Sequence, residues 1–130
     1  MKADAIEALA GKTILVVDDT PTNFMLIKTA LRSTGLQIIW AKNGLEAIEI
    51  CDTDPNIELV LMDIRMPVMD GYEASERIRK IRPDLPIIAQ TSYAMQGDKE
   101  QSLMAGCTDY ISKPLNLDNL KAIITKYLNT

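Results

Sequence analysis

The sequence predicts an α/β protein with one parallel sheet and helices on both of its faces. Short apolar runs alternate five times with segments of helical periodicity. The runs are too short for core helices and are rich in branched side chains, as strands buried on both faces are. Acidic residues follow the first and third runs directly, at the strand end where open α/β sheets hold their sites.

Length and composition indicate one compact domain. Of the 130 residues 47% are apolar, which is enough for one core and leaves no room for a second domain. The 14 Lys and Arg against 18 Asp and Glu give a net charge of −4, so we expect no direct nucleic-acid contact. The apolar runs are shorter than a bilayer span and the N-terminus lacks a signal-peptide pattern, so we expect a cytoplasmic domain without membrane contact.

The N-terminal part of the chain leads into the first strand and helix. Residues 1–11 are expected to be a tail or a linker remnant, and residues 12–130 the domain itself. A β-branched run follows, and after its acidic end Thr20 and Pro21 suit the N-cap and the first turn of a helix. Gly35 ends that helix.

The rest of the chain repeats this alternation. Gly, Pro, Asp and Asn mark the boundaries, and apolar residues at helical spacing are expected to face the core, Ile81 and Leu117 among them. Right-handed crossovers then place helices on both faces of the sheet. The predicted strands are 13–17, 36–41, 59–63, 86–91 and 107–112, and the predicted helices are 21–33, 44–51, 71–81, 94–105 and 117–128.

Asp63 ends the third strand and is the centre of the predicted site. A carboxylate without a partner inside a buried strand costs several kcal/mol, so Asp63 belongs at the strand's carboxyl end. Pro67 then marks a loop, and Gly71 opens a helix because glycine tolerates positive φ. An isolated Asp in such a place most often caps a turn, so its neighbours across the sheet decide its role.

The chain has no histidine, which excludes several kinds of site. A Ser-His or Cys-His nucleophile pair, a His-ligated zinc and a phosphohistidine formed on this chain are all ruled out. Any phosphoryl donor must therefore be another molecule or another domain. Cys51 and Cys107 lack CxxC or metal-ligand spacing and are expected to be reduced packing residues.

Side chains suited to phosphoryl chemistry follow four of the predicted strands. Asp18 and Asp19 follow the first strand, Asp63 the third, Thr91 the fourth and Lys113 the fifth, and in a parallel sheet these ends share one edge. Gathered carboxylates suit Mg²⁺, which cancels their repulsion and bridges phosphoryl oxygens. Asp63 is then the candidate nucleophile, forming an acyl phosphate, and the Lys113 ammonium and the Thr91 hydroxyl contact the other phosphoryl oxygens.

The motifs around these residues resemble the receiver domain of two-component response regulators. The resemblance covers about residues 12–128, and its four motifs together are highly specific although each alone is weak. They read VVDD at 16–19, LMDIRMPVMDG at 61–71, TS at 91–92 and GCTDYISKP at 106–114.

The resemblance implies the fold and the residue roles. The fold is flavodoxin-like and doubly wound, with five strands in the order 2-1-3-4-5. Asp63 accepts a phosphoryl group, while Asp19, Asp63 and the Arg65 backbone carbonyl ligate Mg²⁺ and Asp18 contributes through water. Thr91 and Tyr110 form the switch pair, in which the hydroxyl moves to the phosphoryl group and the ring turns inward. Lys113 contacts the phosphoryl group, and its bond to Pro114 is expected to be cis.

The resemblance also implies the partners. The donor is the phosphohistidine of a sensor histidine kinase or a histidine phosphotransfer domain, and the output is a downstream protein or a phosphorylation-dependent homodimer. We expect a phosphoacceptor that assists its own phosphorylation and dephosphorylation, not an enzyme. The face formed by the fourth helix, fifth strand and fifth helix is expected to repack on phosphorylation.

Several alternatives stay open at this stage. The chain is either a stand-alone regulator or the receiver of a hybrid sensor histidine kinase. The motif sequence MPVMDGYEA and the tail before Lys12 slightly favour the hybrid kinase. A small phosphatase-like hydrolase with Asp63 as nucleophile is the alternative function. Such an enzyme normally has a second acid in the nucleophile's loop, where this chain has Ile64 and Arg65. A binding module with an inactive site is disfavoured because the acidic residues and Lys113 are all present.

Overall fold

The computed structural model describes residues 9–91, 96–113 and 115–128, without the side chains of residues 96–99. In this part of the chain five strands alternate with five α-helices, as predicted. The strands are β1 Thr13–Val17, β2 Gln37–Ala41, β3 Ile57–Asp63, β4 Ile87–Thr91 and β5 Asp109–Ser112. The helices are α1 Pro21–Ala30, α2 Gly44–Thr53, α3 Gly71–Ile81, α4 Gln96–Met104 and α5 Leu117–Leu128. The predicted cis bond to Pro114 and residues 1–8 of the predicted tail lie outside the described residues.

The strands form one parallel sheet in the order β2-β1-β3-β4-β5, which confirms the expected doubly wound fold. Side chains alternate between the two faces of the sheet, so each face carries its own core layer. One layer contains Ala47 of α2 and Ile78 of α3 and is called the α2–α3 layer. The other contains Ile27 of α1 and Ile124 of α5 and is called the α1–α5 layer.

Side-chain caps fix the starts of α2 and α3. Asn43 Oδ1 accepts a hydrogen bond from the Glu46 N–H at 2.9 Å, and Asp70 Oδ1 accepts one from the Glu73 N–H at 3.0 Å. Each bond satisfies one of the N–H groups that a helix start leaves without a partner in the helix. Both helices therefore begin at a glycine directly after the capping residue.

Some predicted boundaries and orientations are corrected by the structure. Helix α1 ends at Ala30 and not near Ser33, because a 3₁₀ turn follows at Arg32–Thr34. Ile81 and Leu117 do not face the core and are 37% and 40% exposed. Each is the terminal residue of its helix, where fewer neighbouring turns cover the side chain. Most other boundaries differ by one or two residues, since pairing and not composition sets strand ends.

The packed structure includes residues on the tail side of the predicted boundary. Leu9 is 2% exposed and belongs to the α1–α5 layer. The Lys12 N–H donates to the Leu9 carbonyl at 3.1 Å, and the Gly11 N–H donates to the Gly35 carbonyl at 3.2 Å. Ala10 packs so closely on Gly35 that a β-carbon there would lie 3.0 Å from Ala10 Cβ. Leu9 to Gly11 are therefore packed against the sheet domain.

Candidate functional site

The three acidic residues predicted to meet do so at the carboxyl edge of the sheet. Val17 pairs with Met62 across β1 and β3, so Asp18 and Asp63 leave neighbouring strands side by side. Both are buried, whereas Asp19 is exposed. One carboxylate oxygen from each of the three residues lies within 4.8 Å of the other two. The cluster is therefore small enough for one cation to contact all three.

Asp63 is held by a partly buried ion pair. Lys113 Nζ lies 3.0 Å from Asp63 Oδ1, and the Arg65 N–H donates to the same oxygen at 3.2 Å. The Lys113 N–H donates to the Thr91 carbonyl at 2.7 Å, which ties the segment after β5 to β4. A positive partner offsets much of the cost of burying an ionised carboxylate.

Asp18 has one oxygen satisfied and one without a partner. Its Oδ1 accepts a hydrogen bond from the Thr20 N–H at 2.8 Å. Thr20 holds the predicted N-cap position of α1, but its side chain makes no cap bond, so the predicted capping role of its hydroxyl is wrong. The Thr20 hydroxyl is turned instead to the neighbouring acid, and Thr20 Oγ1 donates to Asp19 Oδ1 at 3.5 Å.

The second carboxylate oxygen of Asp18, Oδ2, indicates whether the acidic cluster suits a cation. Asp18 Oδ2 is buried and has no hydrogen-bond partner within the described residues. Burial raises the pKa of Asp18, and the charge of Asp63 raises it further. A divalent cation satisfies the free oxygen and cancels the repulsion between the carboxylates. Oxygen donors of this kind fit Mg²⁺.

Trp40 supports the acidic pair from β2. Its Nε1–H donates to the Asp18 main-chain carbonyl at 2.9 Å. The indole stacks on Phe24 of α1, with 4.7 Å between ring centroids and 7° between ring planes. Lys42 Nζ lies 5.5 Å from the indole centroid. Sequence reasoning missed this role because nothing local to Trp40 indicates a contact with Asp18.

The loop between β3 and α3 is bent tightly around Asp63. The Met69 N–H donates to the Pro67 carbonyl at 2.8 Å, which makes a γ-turn centred on Val68 with φ 73°. Gly71 does not have the positive φ that its predicted role invokes. It is required by close approach, because a β-carbon there would overlap the Asp63 carbonyl oxygen. The strained residue of the loop is the exposed Val68.

The two predicted switch residues lie on one face of the sheet. Thr91 ends β4 and is fully buried. Tyr110 pairs with Ala89, is half-buried and packs against the α2–α3 layer. Side chains alternate along β4, so Thr91 lies on the same face as Ala89, two residues beyond it. Tyr110, the register partner of Ala89, is therefore a diagonal neighbour of Thr91 on that face. The structure therefore brings the three acidic residues, Lys113 and the end of β4 at Thr91 together at one sheet edge, with Tyr110 nearby inside β5.

A family comparison identifies this arrangement. The model of the response regulator receiver domain matches residues 14–125 of the chain. The chain belongs to the response regulator receiver domain family. Receiver domains act in two-component phosphorelay signalling, which is the function that the sequence motifs predict.

Curated sensor histidine kinases contain similar receiver domains. The sensor histidine kinase GacS of Pseudomonas protegens is 37% identical over 133 residues, which cover 97% of this chain and 14% of that protein. The sensor histidine kinase RcsC of Escherichia coli K12 is 40% identical over 114 residues, which cover 88% of this chain and 12% of that protein. The chain thus spans less than one sixth of the length of these relatives.

Two solved receiver domains match closely in structure. One comes from a sensor histidine kinase of Pseudomonas aeruginosa and has a magnesium ion coordinated in its active-site cleft. It is 37% identical with a TM-score of 0.85, covering 93% of this chain and all of that one. The other belongs to a response regulator of Saccharomyces cerevisiae and was solved with its histidine phosphotransfer protein. It is 31% identical with a TM-score of 0.85, covering 92% of this chain and 90% of that one.

The same findings disfavour the phosphatase-like alternative. The family match covers residues from all five strands, and Ile64, the residue after the candidate nucleophile, is apolar and buried. A general acid at that position would need an ionisable side chain directed at the site.

Across the described part of the chain, no helix combines the length and apolar character needed to span a membrane. Cys51 and Cys107 are buried free thiols, as predicted.

Proposed function

We propose that Asp63 is the phosphoacceptor of this receiver domain. A carboxylate oxygen of Asp63 attacks the phosphorus of a partner's phosphohistidine, the P–N bond breaks with its electrons returning to the imidazole, and an acyl phosphate forms. The observation that carries this proposal is the 3.0 Å contact between Lys113 Nζ and the buried Asp63 carboxylate, beside two further carboxylates. On this basis the chain assists its own phosphorylation and dephosphorylation and is not a turnover enzyme.

The same residues are proposed to hold Mg²⁺. Asp19, Asp63 and the Arg65 carbonyl are its ligands, and Asp18 contributes through a water molecule. The unpartnered Asp18 Oδ2 supports this assignment, as does the magnesium ion in the related Pseudomonas aeruginosa domain. When bound, the metal compensates charge on the carboxylates and on the phosphoryl oxygens.

Lys113, Thr91 and Tyr110 are proposed to respond to the phosphoryl group. Lys113 turns from Asp63 Oδ1 to a phosphoryl oxygen, which keeps its ammonium paired with negative charge. The Thr91 hydroxyl donates to another phosphoryl oxygen, and Tyr110 turns inward behind it. The adjacent placement of Thr91 and Tyr110 on one sheet face supports this coupling.

The donor is proposed to be a sensor histidine kinase or a histidine phosphotransfer domain. The related yeast receiver, solved with its histidine phosphotransfer protein, supports this choice. The similarity to sensor histidine kinases favours a cytoplasmic receiver domain of a hybrid kinase over a stand-alone regulator. We extend the proposed domain boundary to include Leu9, because its side chain is part of the core.

The output surface is proposed to be the face formed by α4, β5 and α5. A groove of about 410 Å³ lies on it, lined by residues of β5 and α5 that include Tyr110 and Lys126. Repacking of Tyr110 changes this groove and so changes binding of a downstream protein or of a second receiver. Amide chemical shifts on this face should move on phosphorylation, and unchanged shifts would refute the assignment.

Intact mass spectrometry tests the phosphoacceptor assignment. The chain is incubated with acetyl phosphate or phosphoramidate with and without Mg²⁺, beside Asp63→Asn. We expect a single Mg²⁺-dependent phosphoryl adduct that is absent in the Asp63 variant. Asp52→Asn, which changes an exposed carboxylate on α2, is the matched control and should form the adduct normally. An adduct that persists in Asp63→Asn, or none in the wild type, would contradict the proposal.

A further inference from the structure

The residue beside Asp63 on β4 is a buried glutamine whose side chain has no hydrogen-bond partner. Gln90 is 0% exposed, and neither its Oε1 nor its Nε2 is paired within the described residues. Asp63 and Gln90 are register partners in the parallel pair β3 and β4. Register partners project to the same face of a sheet from strands about 4.8 Å apart.

The sheet order places Gln90 under the path of Lys113. Lys113 follows β5 and its ammonium reaches Asp63 Oδ1 at the end of β3, so its side chain must cross β4. Gln90 pairs with Ile111, which belongs to the α1–α5 layer, and Lys113 comes directly after the end of β5, two residues beyond Ile111. Gln90 is therefore a β4 residue that stands between β5, from whose end Lys113 extends, and the Asp63 carboxylate with which it is in register.

A buried carboxamide in this position is unfavourable unless it finds a partner. Leaving a buried donor or acceptor unpaired is costly, whereas an apolar residue of the same shape carries no such cost. Among the described residues, the other buried side-chain atom without a partner is Asp18 Oδ2, on the opposite side of Asp63. Asp63 thus has an unsatisfied polar group on each neighbouring strand, and the proposed metal site accounts for only one of them.

We propose that Gln90 is a positioning residue for the phosphorylated state. When Asp63 carries a phosphoryl group, Lys113 leaves Asp63 Oδ1, and the Gln90 Oε1 accepts a hydrogen bond from its ammonium. Gln90 holds the ammonium over β4 and so aims it at the phosphoryl oxygens. The Gln90 carboxamide lacks a hydrogen bond in the resting state and gains one in the phosphorylated state. This gain stabilises the phosphorylated state relative to the resting state. This inference rests on the proposed function of Asp63 and Lys113.

The inference predicts opposite effects on stability and on phosphoryl binding. Gln90→Met keeps the length of the side chain and removes both polar atoms, and Gln90→Leu serves as a second apolar variant. Both should unfold at the same temperature as the wild type or higher, because a resting-state cost is removed. Their affinity for beryllofluoride, a phosphoryl mimic, should fall about tenfold in the presence of Mg²⁺, since one hydrogen bond to a charged group is lost.

The test is isothermal titration calorimetry, in which beryllofluoride is titrated into the wild type and each variant in the presence of Mg²⁺. Thermal unfolding of the same proteins is measured without beryllofluoride and without Mg²⁺. Ile88→Met is the matched control, because Ile88 lies on the same face of β4, two residues earlier and away from the ion pair. Its beryllofluoride affinity should equal that of the wild type.

Three results would overturn the inference. Unchanged beryllofluoride affinity in both Gln90 variants would remove the role of the carboxamide while leaving Asp63 as phosphoacceptor. Lower unfolding temperatures in both variants would mean that the carboxamide is already satisfied in the resting state. A wild type that neither binds beryllofluoride nor takes up a phosphoryl group would overturn the proposed function, and this inference with it.

Discussion

Replacing Gly71 with alanine tests how closely α3 packs on the phosphoacceptor strand. The Gly71 N–H donates to the Ile64 carbonyl at 3.0 Å, so the first turn of α3 is bonded to the end of β3. A β-carbon at Gly71 would overlap the Asp63 carbonyl oxygen and lie 2.8 Å from Ile64 Cα. Main-chain atoms cannot rotate away as a side chain can. Either α3 or the end of β3 must therefore shift.

The expected cost of Gly71→Ala follows from these contacts. Overpacking costs about 1–3 kcal/mol, and losing the hydrogen bond to Ile64 costs about 1 kcal/mol. Alanine restricts the unfolded chain and returns about 0.5 kcal/mol, which leaves a net loss of about 2.5 kcal/mol. With an unfolding entropy of about 2.1 cal/mol/K per residue over 130 residues, the midpoint of thermal unfolding falls by about 9 °C. The rate of adduct formation on Asp63 should fall as well, because its main chain moves.

Gly44→Ala is the matched control for this prediction. Gly44 also opens a helix behind a side-chain cap, so the effect of alanine on helix propensity is the same. Its β-carbon would meet the side chains of Ala74 and Met69 at 3.1 Å, and the flexible Met69 can move aside. Gly44→Ala should cost less than about 1 kcal/mol, measured by circular dichroism. Equal losses in the two variants would refute the argument from close approach.

Three further variants test contacts away from the ion pair. Val68→Gly should raise the free energy of unfolding by about 1 kcal/mol in urea titrations, because glycine relieves the positive φ of this residue. Arg79 donates to the Gly106 carbonyl through Nε at 2.9 Å and Nη2 at 2.7 Å. Arg79→Lys should lower the free energy of unfolding by about 2 kcal/mol in the same titrations, because lysine lacks the planar guanidinium that makes both bonds. The Tyr127 hydroxyl donates to Asp109 at 2.7 Å, which raises the pKa of Tyr127 to about 12. This contribution is present below the ordinary tyrosine pKa and is lost as pH rises through the folded value, so the stability difference between wild type and Tyr127→Phe should shrink between about pH 10 and about pH 12.

Much of the fold and of the site could be predicted because the signals are local. Each strand is a short apolar run, and each acidic residue of the site follows such a run directly. The convergence of Asp18, Asp63 and Lys113 then follows from parallel topology, since strand ends share an edge. The resemblance to receiver domains supplied the strand order and the residue roles.

The remaining features depend on contacts that the sequence does not encode locally. Trp40 reaches the carbonyl of Asp18, 22 residues earlier, and Arg79 reaches Gly106, 27 residues later. Thr20 has the right residue type for a capping side chain, but its hydroxyl donates to Asp19 Oδ1 and caps no N–H group of the helix. Val68 adopts a positive φ although β-branched residues disfavour it, as the central residue of the γ-turn closed by Pro67 and Met69.

Consecutive residues of β4 connect the chemistry to the output surface. Gln90 faces the α1–α5 layer, where Asp63 and Lys113 form their ion pair, and Thr91 faces the α2–α3 layer, where Tyr110 packs. Because side chains alternate along a strand, neighbouring residues project to opposite faces of the sheet. A rearrangement around the Asp63 carboxylate can therefore act on both faces through the end of one strand. Variants of Gln90 should change phosphoryl binding, whereas Thr91→Ala should uncouple that binding from movement of Tyr110.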